Sequence, residues 1–469
     1  MTKAWEIEGF LEIQNAQMQI DGVPVAELAR EYGSPLFVFS ESRIRHNIER
    51  LKKAADVIDR PLKVCYAAKA MSTMAILRAV KDAGADIEVN SGGELWKALK
   101  IGFDGGQIIF NGTSKEIWEL EMAIDAEIYA IQVDSLYELS LIEETAKRLN
   151  KIANVSLRLV PEIESGTHHG LQTALLTSKF GMMPDEAFAA FRTYRDSPHL
   201  ALCGVHLHIG SQNPDPAVYS EALAMLFESL VRIKSETGIT LKHINLGGGF
   251  PVNYLRDDSM RTAMPSEQGE LFSSEFAPAD AIREAWRAIK ISAETSGSIE
   301  LLKGLTLLLE PGRSVIADAG ICLTTVRNKK IRPISDSTAE FDHWLLTDAG
   351  FNILLSMETY KWYYHLISAD RPESGHDSKY KLAGPLCDGG DVYFDIEGEG
   401  RLPDHRLLPQ NVLPGEVLAL LNCGAYSLAQ ASQYNGRSLP AVVLIKADGE
   451  AQLIRRRDSF DDLITNDVF

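Results

Sequence analysis

Through residues 63–310, short β-type runs alternate with helical stretches, and this alternation restricts the fold more than any other feature of the chain. It calls for βα units around a parallel sheet. The runs cover 63–67, 86–89, 108–111, 129–133, 155–159, 202–209, 243–246 and 306–310. They number eight, which is the count that closes a barrel. Between them, Met71, Met74, Ala75 and Ala79 recur at helical spacing. Residues 218–235 form a long amphipathic stretch with Ala222, Leu226 and Leu230 on one face and Gly238 as its stop. The expected fold is therefore α/β, a (β/α)8 barrel over about 45–310. After residue 311 helical periodicity fades. Runs at 344–347, 417–421 and 441–445, between loops rich in Gly, Pro and Asp, predict a second, mostly β domain over 311–469, with 373–381 an exposed loop. Residues 1–44 are an N-terminal segment expected to pack with the β domain.

Composition narrows the function classes. The 469 residues are 45% hydrophobic and 24% charged, ordinary for a chain with a sizeable core. A formal net charge of -18 argues against nucleic acid or an anionic membrane surface as the main partner. The five cysteines, Cys65, Cys203, Cys322, Cys387 and Cys423, are odd in number and show no Cys-x-x-Cys spacing. Neither a disulfide framework nor a zinc site is expected. His206-x-His208 lacks an obvious third metal ligand, with His168-His169 a candidate by type only. The first residues lack the basic and apolar regions of a signal peptide, and no run of about 18 apolar residues is present. A cytoplasmic location follows as the expectation.

A barrel carries its active site at the C-terminal ends of its strands. There the chain places Lys69, then His206-Leu207-His208-Ile209-Gly210-Ser211, then Gly247-Gly248-Gly249, then Glu310-Pro311-Gly312-Arg313. These suit a pyridoxal phosphate site. A lysine amine forms an imine with an aldehyde. Consecutive glycines admit backbone N–H groups close to a phosphate, with Ser211, Gly312 and Arg313 as further donors. A carboxylate such as Glu310 keeps a pyridine nitrogen protonated, and His208 can lie flat on the ring. Taken singly, each has a plainer reading: a surface lysine, a glycine turn, and for His206 a satisfied structural histidine. The weight lies in four motifs at the ends of separate strands.

In order, these motifs resemble the alanine-racemase-like (fold type III) pyridoxal phosphate decarboxylases, with diaminopimelate decarboxylases as the nearest branch. The likeness runs through 66–69, 178–181, 206–212, 245–249 and 310–313, then Asp348-Ala349-Gly350-Phe351-Asn352, Gly384-Pro385-Leu386-Cys387 and Gly424-Ala425-Tyr426. The resemblance implies an imine between the cofactor and Lys69, His208 on the ring, Glu310 at its nitrogen, and the phosphate among Ser211, the glycine loop, Gly312, Arg313 and Tyr426. It implies a homodimer with shared active sites, into which Cys387 reaches from the partner. Cys387 is the preferred proton donor to the α-carbon, with Lys69 the alternative.

Two departures bear on the substrate, for which Arg313, Ser356, Glu358, Tyr360 and Asp388 are the candidate binding residues. Ser356 stands where the family carries an arginine for the distal carboxylate, with Tyr360 following as usual. A serine offers one neutral hydrogen bond in place of a charged, bidentate fork. Cys387-Asp388-Gly389 is closer to ornithine decarboxylase, whose Asp helps hold a distal amine. With Glu358, the distal pocket reads as acidic. The reading placed first is decarboxylation of lysine, ornithine or a related diamino acid. The alternatives are decarboxylation of meso-diaminopimelate, in which Lys361 or Arg313 replaces the arginine, and amino-acid racemisation.

Overall fold

A computed structural model of the chain describes residues 3–160, 178–334 and 340–468. His168 and His169 lie outside the described residues. The chain forms two compact units, one of Arg45–Pro251 and Glu275–Val315, the other of Met1–Ile44, Val252–Ser274 and Ile316–Phe469. The stretch Val252–Ser274, inside the barrel span on the sequence reading, groups with the β-rich unit.

The first unit is a closed barrel of strands β1 (Leu62–Ala67), β2 (Asp86–Val89), β3 (Ile108–Phe110), β4 (Ala130–Val133), β5 (Ala153–Arg158), β6 (Leu200–His206), β7 (His243–Asn245) and β8 (Thr306–Leu309). Every neighbour pair is parallel, and β8 closes on β1 through Leu307 opposite Leu62. The strands are largely buried on both faces, which is why stretches such as Ile108–Phe110 and 307–309 are continuously apolar instead of alternating. The helix Ala217–Thr237 ends at Gly238, whose φ of 76° is the left-handed cap a glycine supplies.

Toward the opposite end of the barrel, His243 is buried as the first residue of β7. A β-carbon on Gly204 would stand 2.2 Å from its Nε2, so β6 needs a glycine here, and β6 shifts register against β5 between Leu202 and Gly204. Burial pushes His243 down from 6.5 to about 3. On acidification the unfolded chain takes up this proton from about pH 6.5, and the native state only near 3. Stability is therefore lost as pH falls through that window, by on the order of 4 kcal/mol at its lower end. We expect His243→Gln to have a shallower acid limb in a plot of Tm against pH. An acid limb as steep as the wild type's would count against this account.

The second unit holds a nine-stranded sheet among the described residues. Its main path runs Arg406–Leu408, Ser378–Ala383, Phe341–Thr347, Gly320–Pro333, Leu36–Ser40, Ala441–Ile445 and Ala451–Arg455, with Val417–Leu420 also on Gly320–Pro333 and Leu366–Ser368 on Val417–Leu420. Leu36–Ser40 pairs parallel to Ala441–Ile445 and antiparallel to Gly320–Pro333. Trp5, Phe10, Leu36, Val38, Leu323 and Val443 share one core cluster. The exposed loop expected at 373–381 is a strand from Ser378 onward; Tyr380 and Leu382 point inward, and the flanking lysines disguise this alternation. No helix among the described residues is long and apolar enough to cross a membrane.

Candidate active site

Glu310 directly follows β8 and is the electrostatic centre of the barrel's C-terminal face. Its Oε1 accepts from Asn245 Nδ2 at 2.6 Å, its Oε2 accepts from Asn111 Nδ2 at 3.0 Å, and His206 Nε2 lies 3.4 Å from Oε2. Burial alone would raise its carboxyl, but His206, Asn245 and His208 outweigh burial and hold it below the usual carboxylate range. The same Asn111 Nδ2 donates to Glu88 Oε1 at 2.8 Å. Burial raises Glu88, so two neighbouring carboxyls are pushed in opposite directions and Glu310 is the ionised one. His206, read from sequence as a satisfied structural residue, stands beside this carboxylate.

Around Glu310 the strand ends converge. Lys69 sits exposed in the short turn Ala68–Ala70 between two buried alanines, and its charge is felt by Glu88, His206 and His208. His208 Nδ1 accepts from Gly248 N at 3.2 Å, and burial pushes its pKa well down. The imidazole is therefore neutral with its proton on Nε2, and its ring is tied to the glycine loop. Gly248 packs on the backbone after β8: a β-carbon there would lie 2.4 Å from Glu310 O. Gly247 and Gly249 have φ of 68° and 98°, open to glycine without strain. Arg313 Nε donates to Ser211 Oγ at 3.1 Å, joining the ends of β6 and β8 beside that loop, and Gly312 O accepts from Val315 N.

An exposed amine, a buried carboxylate kept ionised, a neutral imidazole and a glycine-lined corner with Ser211 and Arg313 together fit pyridoxal phosphate. Glu88, Asn111 and Asn245 were not among the residues picked from sequence. A signal was present, since Glu88 is a polar residue inside the short run β2, Asn111 directly follows the apolar run β3, and Asn245 opens the glycine motif. Among the described residues no group of three or more His, Cys, Asp or Glu could hold a metal ion.

The β-rich unit assembles the later motifs. Asp391 Oδ1 accepts from Phe351 N at 2.9 Å and its Oδ2 accepts from Leu386 N at 2.8 Å, which ties the 348–352 turn to the 384–391 loop. Gly350 and Gly384 leave room for that carboxylate; β-carbons there would approach it to 2.7 and 2.3 Å. Cys387 is exposed, and its backbone N donates to Asn435 Oδ1 at 2.6 Å. Tyr434 donates to Asp388 Oδ2 at 3.1 Å. Gly390 lies between Asp388 and Glu358, each within 4.0 Å of where its β-carbon would be. Ser356 is buried, its hydroxyl 3.4 Å from Tyr426 O and 3.3 Å from Gln430 Oε1. Tyr426 takes a φ of 57°, and Tyr360 closes the same short turn through its N to Ser356 O. Lys361, buried, has its Nζ 3.8 Å from Glu358 and 3.9 Å from Glu397.

Comparison with known proteins agrees with this geometry. The model of the family described as "Pyridoxal-dependent decarboxylase, pyridoxal binding domain" matches residues 41–317. The diaminopimelate decarboxylase of Methanocaldococcus jannaschii is 34% identical, over 98% of this chain and 96% of its own. That of Bacillus subtilis is 32% identical over 97% and 96%. A crystal structure of the M. jannaschii diaminopimelate decarboxylase in complex with L-lysine superposes with a TM-score of 0.83 at 33% identity, covering 98% of both chains. The chain belongs to the pyridoxal-dependent decarboxylases, carboxy-lyases that work on amino acids with pyridoxal phosphate as cofactor.

Proposed function

We propose that the chain decarboxylates meso-diaminopimelate, giving L-lysine and carbon dioxide. The observation that carries this is similarity to diaminopimelate decarboxylases along nearly the whole chain, including one solved with L-lysine. It moves the substrate away from lysine or ornithine, the reading placed first on the sequence.

When bound, pyridoxal phosphate supplies an electron sink for the pair left behind as carbon dioxide departs. Lys69 is the residue to hold it, with Ser211, Gly247, Gly248, Gly249, Gly312, Arg313 and Tyr426 receiving the phosphate. Glu310, kept ionised by Asn111, Asn245 and His206, holds a proton on the ring nitrogen. His208, neutral and tied to Gly248, would lie against the ring of the bound cofactor. Cys387 returns a proton to the α-carbon from a homodimer partner; its exposure and the family resemblance support that role. The distal carboxylate needs a cation in place of the family's arginine, and Lys361 and Arg313 are the candidates. Tyr360 lines the same end.

A second reading, a lysine or ornithine decarboxylase, rests on Ser356 and on the acidic pair Asp388 and Glu358 around Gly390. Carbon dioxide release by the cofactor-loaded protein, run side by side with meso-diaminopimelate, D- and L-lysine and D- and L-ornithine, separates the two. We expect turnover of meso-diaminopimelate at least tenfold above any other. Turnover of a lysine or ornithine without diaminopimelate would overturn the proposal in favour of the second reading.

A further inference from the structure

Within the β-rich unit, Lys3, Asp257, Tyr363, His365, His376 and Arg406 line a cavity of about 180 Å³. Arg406 is 2% exposed. Its Nη1 donates to the carbonyls of Pro403 and His405, and its guanidinium lies 4.9 Å from the Tyr363 ring centroid. Among the described residues its Nε is buried without a hydrogen-bond partner, and no carboxylate comes within ion-pair distance of it. A buried cation without a counter-charge is costly unless something neutralises it.

The other walls do not neutralise it. Asp257 is engaged elsewhere: Ser259 N and Oγ donate to its Oδ1, and His365 Nε2 lies 3.4 Å from its Oδ2. Tyr363 OH is 3.2 Å from His365 Nδ1, so the His365 ring is satisfied at both nitrogens while neutral. His376 is likewise complete, accepting from Ser368 N and facing Ser374 O. Lys3 adds a second cation, its Nζ making one bond, to Glu373 O at 3.2 Å. Two cations and the hydrogen-bonded Asp257 carboxylate thus line one small space among the described residues, in a chain of strongly acidic balance.

We propose that this cavity binds a small oxyanion, a free phosphate or a small carboxylate, on Arg406 and Lys3. The guanidinium N–H groups not used by the carbonyls are the donors left for an oxygen of such an ion. The site lies wholly within the β-rich unit and uses none of the residues proposed for cofactor or substrate.

The test is calorimetric titration of the cofactor-loaded protein with inorganic phosphate and, separately, with succinate, at ionic strength held constant with chloride. We expect saturable one-site binding of at least one probe in the millimolar range or tighter, weakened at least tenfold in both Arg406→Gln and Lys3→Glu. If Arg406→Gln does not fold, Lys3→Glu, at the rim, decides alone. A stronger response to phosphate identifies a phosphoryl ligand, and a stronger response to succinate a carboxylate. Absence of saturable binding to both probes overturns the proposal, as does undiminished binding in the folded variants. A change in the bound cofactor's visible absorbance on titration also overturns it, because the ion would then be entering the cofactor's own cradle.

Discussion

The Lys69→Ala protein is expected to lose decarboxylation by on the order of 10⁴-fold, about 5.4 kcal/mol of transition-state stabilisation, together with the visible absorbance of the lysine-bound cofactor. The expectation follows from position. Lys69 is exposed between buried Ala68 and Ala70 at the end of β1, on the face where Glu310 and His208 converge, and alanine has no amine to take its place. Retention of that absorbance would remove Lys69 from the role. The same variant also examines the proposed shared site. Lys69→Ala and Cys387→Ala subunits are each expected to be inactive. If Cys387 serves its partner's barrel, mixed dimers rebuild one intact site of two, and random exchange restores about a quarter of wild-type activity. A mixture with no more activity than its components would place each Cys387 with its own Lys69, or leave the protein outside the dimer reading.

Gly248→Ala is expected to damage the cofactor site, by a smaller factor, without removing a reactive group. The added β-carbon would sit 2.4 Å from Glu310 O and 3.1 Å from Glu310 C. Both are backbone atoms, so no side-chain rotation relieves the contact. Either the glycine loop retreats from β8, and Gly248 N leaves His208 Nδ1, or β8 moves and takes the Glu310 carboxylate off Asn111 and Asn245. Cofactor affinity should fall at least about 100-fold, equivalent to about 2.7 kcal/mol, with Tm shifted down by several degrees. Equilibrium dialysis of the apoprotein against pyridoxal phosphate measures the first quantity. Wild-type affinity in this variant would mean that the corner does not hold the phosphate.

Much of the barrel is legible in the sequence because its strands are buried on both faces. Runs such as 108–110 and 307–309 are apolar without interruption, so their spacing can be read directly. The lysine, histidine, glycine and Glu-Arg motifs stand out because they break those runs at one end. The β-rich unit is harder to read. Ser378–Ala383 alternates, but Lys379 and Lys381 on its outer face make it resemble a loop. The grouping of Val252–Ser274 with the β-rich unit depends on contacts made hundreds of residues away in the chain, and no local pattern reports them. Asn111 escaped notice for a related reason. A single asparagine is unremarkable until it is seen to donate from one amide nitrogen to both Glu88 and Glu310. The substrate lies beyond the motifs altogether, since Ser356 records the loss of an arginine without naming its replacement.

Leu36–Ser40 has a consequence for how the protein is made. All five of its residues are buried, and one of its two neighbours in the sheet, Ala441–Ile445, lies about 400 residues further on. A ribosome adding 5–20 residues per second needs roughly 20–80 s to deliver that neighbour. Throughout that interval the barrel residues can emerge and close, while an apolar strand synthesised before them waits with an unpaired edge. The nascent chain thus carries a sticky segment for most of its synthesis, and a chaperone that shields extended apolar peptides would raise the yield of folded protein more than it would change its final stability.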